Sequence, residues 1–191
     1  NQKAEEINSE KAQNDNIHIV KRPTGGRAVF HSEEITYSVV VHLDCGYSPS
    51  QIYKEINNAL KKRLSVYDNR LDVAELENIQ PDFSAIYKTP LGTACFATSA
   101  KSELKLEGKK LIGSAQRKIG SVILQHGSIL CGTYHKRIID YLNLDNQQKQ
   151  LVLNDLEKKT IEIETVLNEK VDYSKLGISL KEGFLSYFDK L

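Results

Sequence analysis

The stretch from Ile35 to Leu64 narrows the folds open to this chain more than any other. Ile35 to His42 (ITYSVVVH) is β-branched and aromatic with few polar interruptions, the composition of a strand. A turn over 44–49 follows, and then a helix whose start is legible. Ser48 is placed to cap it, Pro49 suits the first helical position, and Gln51 completes a capping box. Ile52, Ile56, Leu60 and Leu64 recur every four residues and form one apolar face. A strand followed by a one-faced helix calls for a sheet layer that the helix covers.

The flanking pattern extends that layer. Asn1 to Asn14 is polar with scattered apolar positions, a weakly anchored helix at most. Ile17 to Lys21 reads as a short strand, broken by Pro23-Thr24-Gly25-Gly26. Asp68 to Ala100, with Pro81, Pro90 and Gly92, reads as irregular apart from a possible strand at Phe83 to Tyr87. A loop of that length is usually functional or mobile. Ser102 to Leu106, Lys110 to Arg117 and Ser121 to Cys131 read as strands, the first two joined by a Glu107-Gly108 turn. Beyond Gly132 the spacing becomes helical over His135 to Leu142, Asn146 to Leu156 and Tyr173 to Phe188. The class predicted is α+β, a mixed or antiparallel sheet flanked by helices, in a single domain over 1–191.

Composition removes several functions. Lys plus Arg is 26 against 25 Asp plus Glu, a net charge of +1, whereas nucleic-acid binders usually present a basic surface. The longest aliphatic runs are three residues, as in Val39-Val40-Val41, far short of the roughly 18 that a membrane span needs. Three widely spread cysteines do not make a disulfide framework, so a reducing cytoplasm is the expected setting. Met is absent even at position 1, so the sequence reads as part of a longer chain.

Four constellations could carry chemistry. In Arg22-Pro23-Thr24-Gly25-Gly26-Arg27, paired glycines allow backbone N–H groups to approach a carboxylate, phosphate or acyl carbonyl, with Arg22 and Arg27 adding charge. A plain hairpin turn between solvated arginines fits the same residues. In GKKLIGSAQR (108–117), a strand lysine beside small residues could aim an ammonium into a pocket, or could simply protect a sheet edge. It lacks the order of a Walker A loop. His126, in Gln125-His126-Gly127-Ser128, could act as a base or donor, or be a buried structural histidine. Among the cysteines, Cys45 and Cys131 read as structural. Cys95, in the small-residue loop Gly92-Thr93-Ala94-Cys95-Phe96, has the setting of a nucleophile if a cation lies near. No cysteine pair has zinc-ligand spacing, and none of these groups requires a metal.

Taken in order, RPTGGRAVFH at 22–31, ITYSVVV at 35–41, GKKLIGSAQR at 108–117 and ILQHGSIL at 123–130 resemble the lipoate/biotin protein ligase and octanoyltransferase superfamily. The resemblance spans roughly 7–188. It implies a mixed sheet with an acyl tunnel beside the glycine loop, lined by Arg22, Gly25, Gly26 and His31. It further implies that Lys110 contacts the substrate carbonyl and that Gly113, Ser114 and His126 form the opposite wall. Cys95, fifteen positions before Lys110, matches the branch that transfers octanoyl through a cysteine thioester. Its implied donor is acyl carrier protein, and its implied acceptor a lysine of a lipoyl domain or the glycine-cleavage H protein. No cofactor is implied. ATP and Mg would belong to the alternative, a lipoate–protein ligase, and a lipoyl or octanoyl amidotransferase is the third reading. The resemblance also implies about 50–60 further N-terminal residues, without which an apolar sheet edge would stand exposed.

Overall fold

A computed structural model describes residues 3–72, 74–76 and 103–188. The expected strand is β1, Glu34–His42, and the capped helix is α2, Pro49–Tyr67, preceded by α1 at Ser9–Asn14. Ser48 and Gln51 make the reciprocal capping box, with Pro49 in the first turn. Ile52, Ile56, Leu60 and Leu64 are all buried, each contributing about 1.5–3 kcal/mol on full burial.

Short strands β2 (Glu75–Leu76), β3 (Leu104–Leu106) and β4 (Lys109–Lys110) form one antiparallel sheet in that order. The second antiparallel sheet has β1 at one side, β6 (Val122–Leu130) in the middle and β5 (Ile112–Ile119) beyond it. The β3–β4 turn is as expected, with Glu107 and Gly108 at φ 54° and 74°. The strand expected over 110–117 instead divides at Leu111, where the chain passes from one sheet to the other. The Leu111 N–H bonds to the Leu104 carbonyl at 3.0 Å, and its own carbonyl accepts from Leu130 N–H at 3.1 Å.

A 3-10 segment spans Thr133–Tyr141, where an α-helix was expected, and α3 follows at Asn146–Lys159. A short α4, Ile163–Leu167, was not anticipated, and α5 is Tyr173–Phe188. Helices α2 and α5 cover the inner sheet face. Ile112, Ile123 and Ile129 of the sheet share one core with Ile56, Leu60, Leu176 and Leu180. Among the described residues no helix is long and apolar enough to cross a membrane.

One strand expectation fails. Residues 17–21 form no ladder, and Ile19 and Val20 are exposed. Strand propensity reflects packing on a pleated surface, and among the described residues no strand pairs with these to provide it. The part of 68–100 that is described carries a 3-10 turn at Asn69–Leu71 besides β2. The possible strand at Phe83 to Tyr87 lies outside the described residues, as does Cys95.

Candidate active site

Gly127 fixes the geometry of the site. It occupies the central strand between Tyr37 of β1 and Ser114 of β5. A Cβ there would lie 2.4 Å from the Gly113 carbonyl oxygen and 2.8 Å from the Tyr37 ring. Without it, the Tyr37 ring crosses the middle strand, and its hydroxyl and that of Ser114 stand 2.6 Å apart. Gln125 Nε2 donates to the same Tyr37 oxygen at 3.2 Å. Burial pushes the Tyr37 phenol up to about 12, so it stays protonated and acts as a fixed dipole.

A cavity of about 60 Å³ opens at this point, where Gly113 and Gly127 contribute no side chain. Arg22, His31, Lys110, Gly113, Ser114 and His126, dispersed over a hundred residues of sequence, all line it. Its size suits the reacting end of a ligand rather than a whole acyl chain.

Lys110 is the most constrained of these groups. Only 2% of its side chain is exposed, and Nζ lies 2.9 Å from Glu103 Oε2, whose side chain is 3% exposed. The β3–β4 hairpin sets this pair, because it folds the residue just before β3 back toward the start of β5. Glu103 Oε1 also accepts the Ser114 backbone N–H at 3.1 Å. One carboxylate thus ties the pocket lysine to the small-residue wall. Lys110 therefore stands in a strand that ends its sheet, but its burial excludes the reading of an exposed lysine that merely guards the edge.

The glycine loop is latched to the sheet. The Thr24 hydroxyl and His126 Nε2 are 2.7 Å apart, and Arg117 donates to the Pro23 carbonyl. His126 is held below the usual histidine range by burial and by the nearby Arg22 and His31, so it is a neutral imidazole. Gly25 and Gly26 have φ of 73° and 99° and do not line the cavity themselves. Gly26 instead makes room for Arg22. A Cβ on Gly26 would sit 2.4 Å from Arg22 Nη2, which donates to the Arg27 carbonyl at 3.0 Å. Arg27 turns away from the cavity toward Glu6, with 2.9 Å between Nη1 and Oε2. Only Arg22 of the two arginines therefore adds charge to the site.

Cys131 is buried and its thiol is pushed up to about 12, in line with a structural role. Among the described residues no group of three or more His, Cys, Asp and Glu side chains could hold a metal. The sequence reading missed Glu103, Tyr37 and the Glu34–Ser128 pair described below. The motif QHGS does contain Gly127, but nothing in it signals a ring passing over that glycine.

The chain is similar to known proteins over nearly its whole length. The chain is 36% identical over 186 residues to an octanoyltransferase LipM of Brevibacillus brevis, covering 95% of this chain and 66% of the relative. An octanoyltransferase LipM of Bacillus subtilis is 31% identical over 185 residues, covering 94% and 65%. The chain thus spans about two thirds of the length of the curated relatives it matches. In fold it is similar to a bipartite lipoate protein ligase of Thermoplasma acidophilum, with a TM-score of 0.70 at 17% identity over 97% of this chain and 63% of that one. The profile of the lipoyl protein ligase A/B catalytic domain matches residues 1–185, and this chain belongs to that family.

Proposed function

We propose that this chain moves an octanoyl group from acyl carrier protein to a lysine of a lipoyl domain or H protein, through a thioester on Cys95. The observation that carries the reading is the buried Lys110, fixed by Glu103 on the wall of a cavity shared with the glycine loop. Likeness to octanoyltransferases over nearly the whole chain supports it.

The Cys95 thiolate attacks the donor's thioester carbonyl. The new C–S bond forms as the carrier sulfur leaves as a thiolate with the electron pair of the old one, and takes its proton from solvent. The acceptor's amine then attacks the enzyme thioester and the Cys95 sulfur departs. Two-step transfer through a strong nucleophile is the gain of covalent catalysis. An ammonium has three N–H donors, and Glu103 fixes how Lys110 directs them. In a cavity this enclosed, such a donor stabilises the oxyanion of the tetrahedral intermediate.

Intact-mass measurement after mixing the enzyme with octanoyl carrier protein, without nucleotide, tests the reading. One octanoyl adduct is expected, and Cys95→Ser should abolish it. Acceptor modification that strictly requires ATP and free acid would replace this reading with the ligase.

A further inference from the structure

Beside the cavity stands a carboxylate–histidine pair that the sequence reading did not contain. His31 Nδ1 lies 2.6 Å from Glu34 Oε1, and the Ser128 hydroxyl donates to that same oxygen at 2.9 Å. Glu34 is 5% exposed and His31 58%. The other Glu34 oxygen, Oε2, is buried with no hydrogen-bond partner among the described residues. An exposed His–Glu pair on a surface is ordinary. A buried carboxylate held by a serine from the central strand, with its histidine on the cavity wall, is a constructed arrangement.

We propose that His31, oriented by Glu34, is the base that takes a proton from the acceptor's amine. The assignment rests on the transfer reading above, since it presumes a lysine acceptor. A carboxylate can only accept, so Nδ1 carries the proton of the His31–Glu34 bond. The lone pair of the neutral ring is then on Nε2, and the exposed side of the residue is where an acceptor domain would arrive. A histidine held by a carboxylate at one nitrogen and basic at the other is the recurring device for activating a nucleophile.

The other groups of the cavity are less suited. His126 Nε2 is already engaged with Thr24 at 2.7 Å. Lys110 is an ammonium facing Glu103 and Arg22 a guanidinium, and neither accepts a proton in that state. Of the charged groups facing His31, Glu34 favours its protonated form and Arg22 opposes it, with the hydrogen bond to Glu34 the largest influence. The ring is therefore a stronger base than an ordinary histidine.

The step balances. The lysine ammonium gives one proton to His31 Nε2, and the neutral amine attacks the octanoyl carbonyl. A C–N bond forms, the C–S bond breaks with its electron pair on the Cys95 sulfur, and the nitrogen's second proton passes to solvent. The imidazolium afterwards releases its proton to solvent.

The test loads the enzyme from octanoyl carrier protein, removes the donor, and follows discharge from pH 5 to 9. One arm uses an acceptor lipoyl domain. The other uses hydroxylamine, an amine already unprotonated near neutral pH. In His31→Gln the ratio of lipoyl-domain discharge to hydroxylamine discharge should fall at least about 100-fold, the scale of general-base catalysis. In Glu34→Gln the pH profile with the lipoyl domain should move to lower pH. An unchanged ratio in His31→Gln overturns the proposal, as does equal loss in both arms, which marks a structural role. If His31→Gln fails to load, an unshifted profile in loaded Glu34→Gln overturns it. Wild-type enzyme that never loads overturns the thioester reading and this one together. Wild-type enzyme that loads separates the two.

Discussion

Replacing Glu103 with Leu should be among the most damaging single changes available in the described part of the molecule. The carboxylate is 3% exposed, 2.9 Å from a Lys110 ammonium that is 2% exposed. Removing one partner of such a pair costs about 3–5 kcal/mol, because the other charge remains buried. Glu103 also accepts the Ser114 N–H at 3.1 Å, so an apolar replacement leaves that donor to be satisfied elsewhere. With that loss the total is about 4–6 kcal/mol. At about 2–4 °C per kcal/mol for a domain of this size, the melting temperature should drop by about 8–24 °C. Glu103→Gln keeps the shape and an acceptor for Ser114, so it should lose less. The double variant Glu103→Leu/Lys110→Met removes both charges and should recover most of the loss, since an apolar pair often replaces a buried ion pair at little cost. Thermal melts of the two single variants and the double complete the cycle. Losses in the single variants that simply add in the double would refute this account, because the pair would then be worth nothing as a pair.

Three more outcomes follow from other parts of the structure. Burial pushes His135 below the ordinary histidine value near 6.5, so the folded protein holds fewer protons there than the unfolded chain as pH falls. Its contribution is therefore complete above about pH 6.5 and erodes below it; urea midpoints at pH 8 and 5 should show the drop, and His135→Gln should flatten it. Gly26→Ala places a side chain at φ 99° and 2.4 Å from Arg22 Nη2, costing about 1–3 kcal/mol of strain and displacing Arg22. Its KM for octanoyl carrier protein should rise, and an unchanged KM in a folded variant would remove the loop from binding. In native protein iodoacetamide should leave the buried Cys131 unmodified while labelling Cys95, and Lys110→Ala should slow the Cys95 reaction at neutral pH; identical profiles would deny Lys110 any part in activating the thiol.

The sequence is most informative where a local rule decides structure. Ser48, Pro49 and Gln51 announce the start of α2, and Glu107-Gly108 announces a turn, because caps and positive φ depend on near neighbours. Ile17 to Lys21 shows the limit of the same reasoning, since apolar and β-branched residues form no strand without a neighbour to pair with. The chemical groups of the cavity were legible as motifs, and the fold brings Arg22, His31, Lys110, Ser114 and His126 to one place. Their supporting groups were not. Glu103 looks in the sequence like any polar residue at the start of a strand, and only the β3–β4 hairpin brings it against Lys110. Glu34 likewise precedes a run of strand residues, and its function depends on Ser128, 94 positions later. Tyr37 reads as a strand aromatic because a ring crossing a glycine on the next strand leaves no trace in its own neighbourhood.

The distribution of charge explains how several cationic or basic groups can share so small a space. Arg22, Lys110, His31 and His126 face the cavity, whereas Glu34 and Glu103 stand behind its lining. Uncompensated, the Arg22 and Lys110 cations would repel each other and lose solvation. Glu103 offsets the charge of Lys110, and the Arg27 carbonyl accepts from Arg22. Each bond also fixes a direction. The donors are therefore aligned before any substrate enters, and little reorganisation accompanies the appearance of negative charge on a carbonyl oxygen. A neutral thioester gains modestly from such a field, and its tetrahedral oxyanion gains far more. That difference is what accelerates the proposed transfer, and it identifies Glu103 as a residue whose loss should lower kcat more than it raises KM.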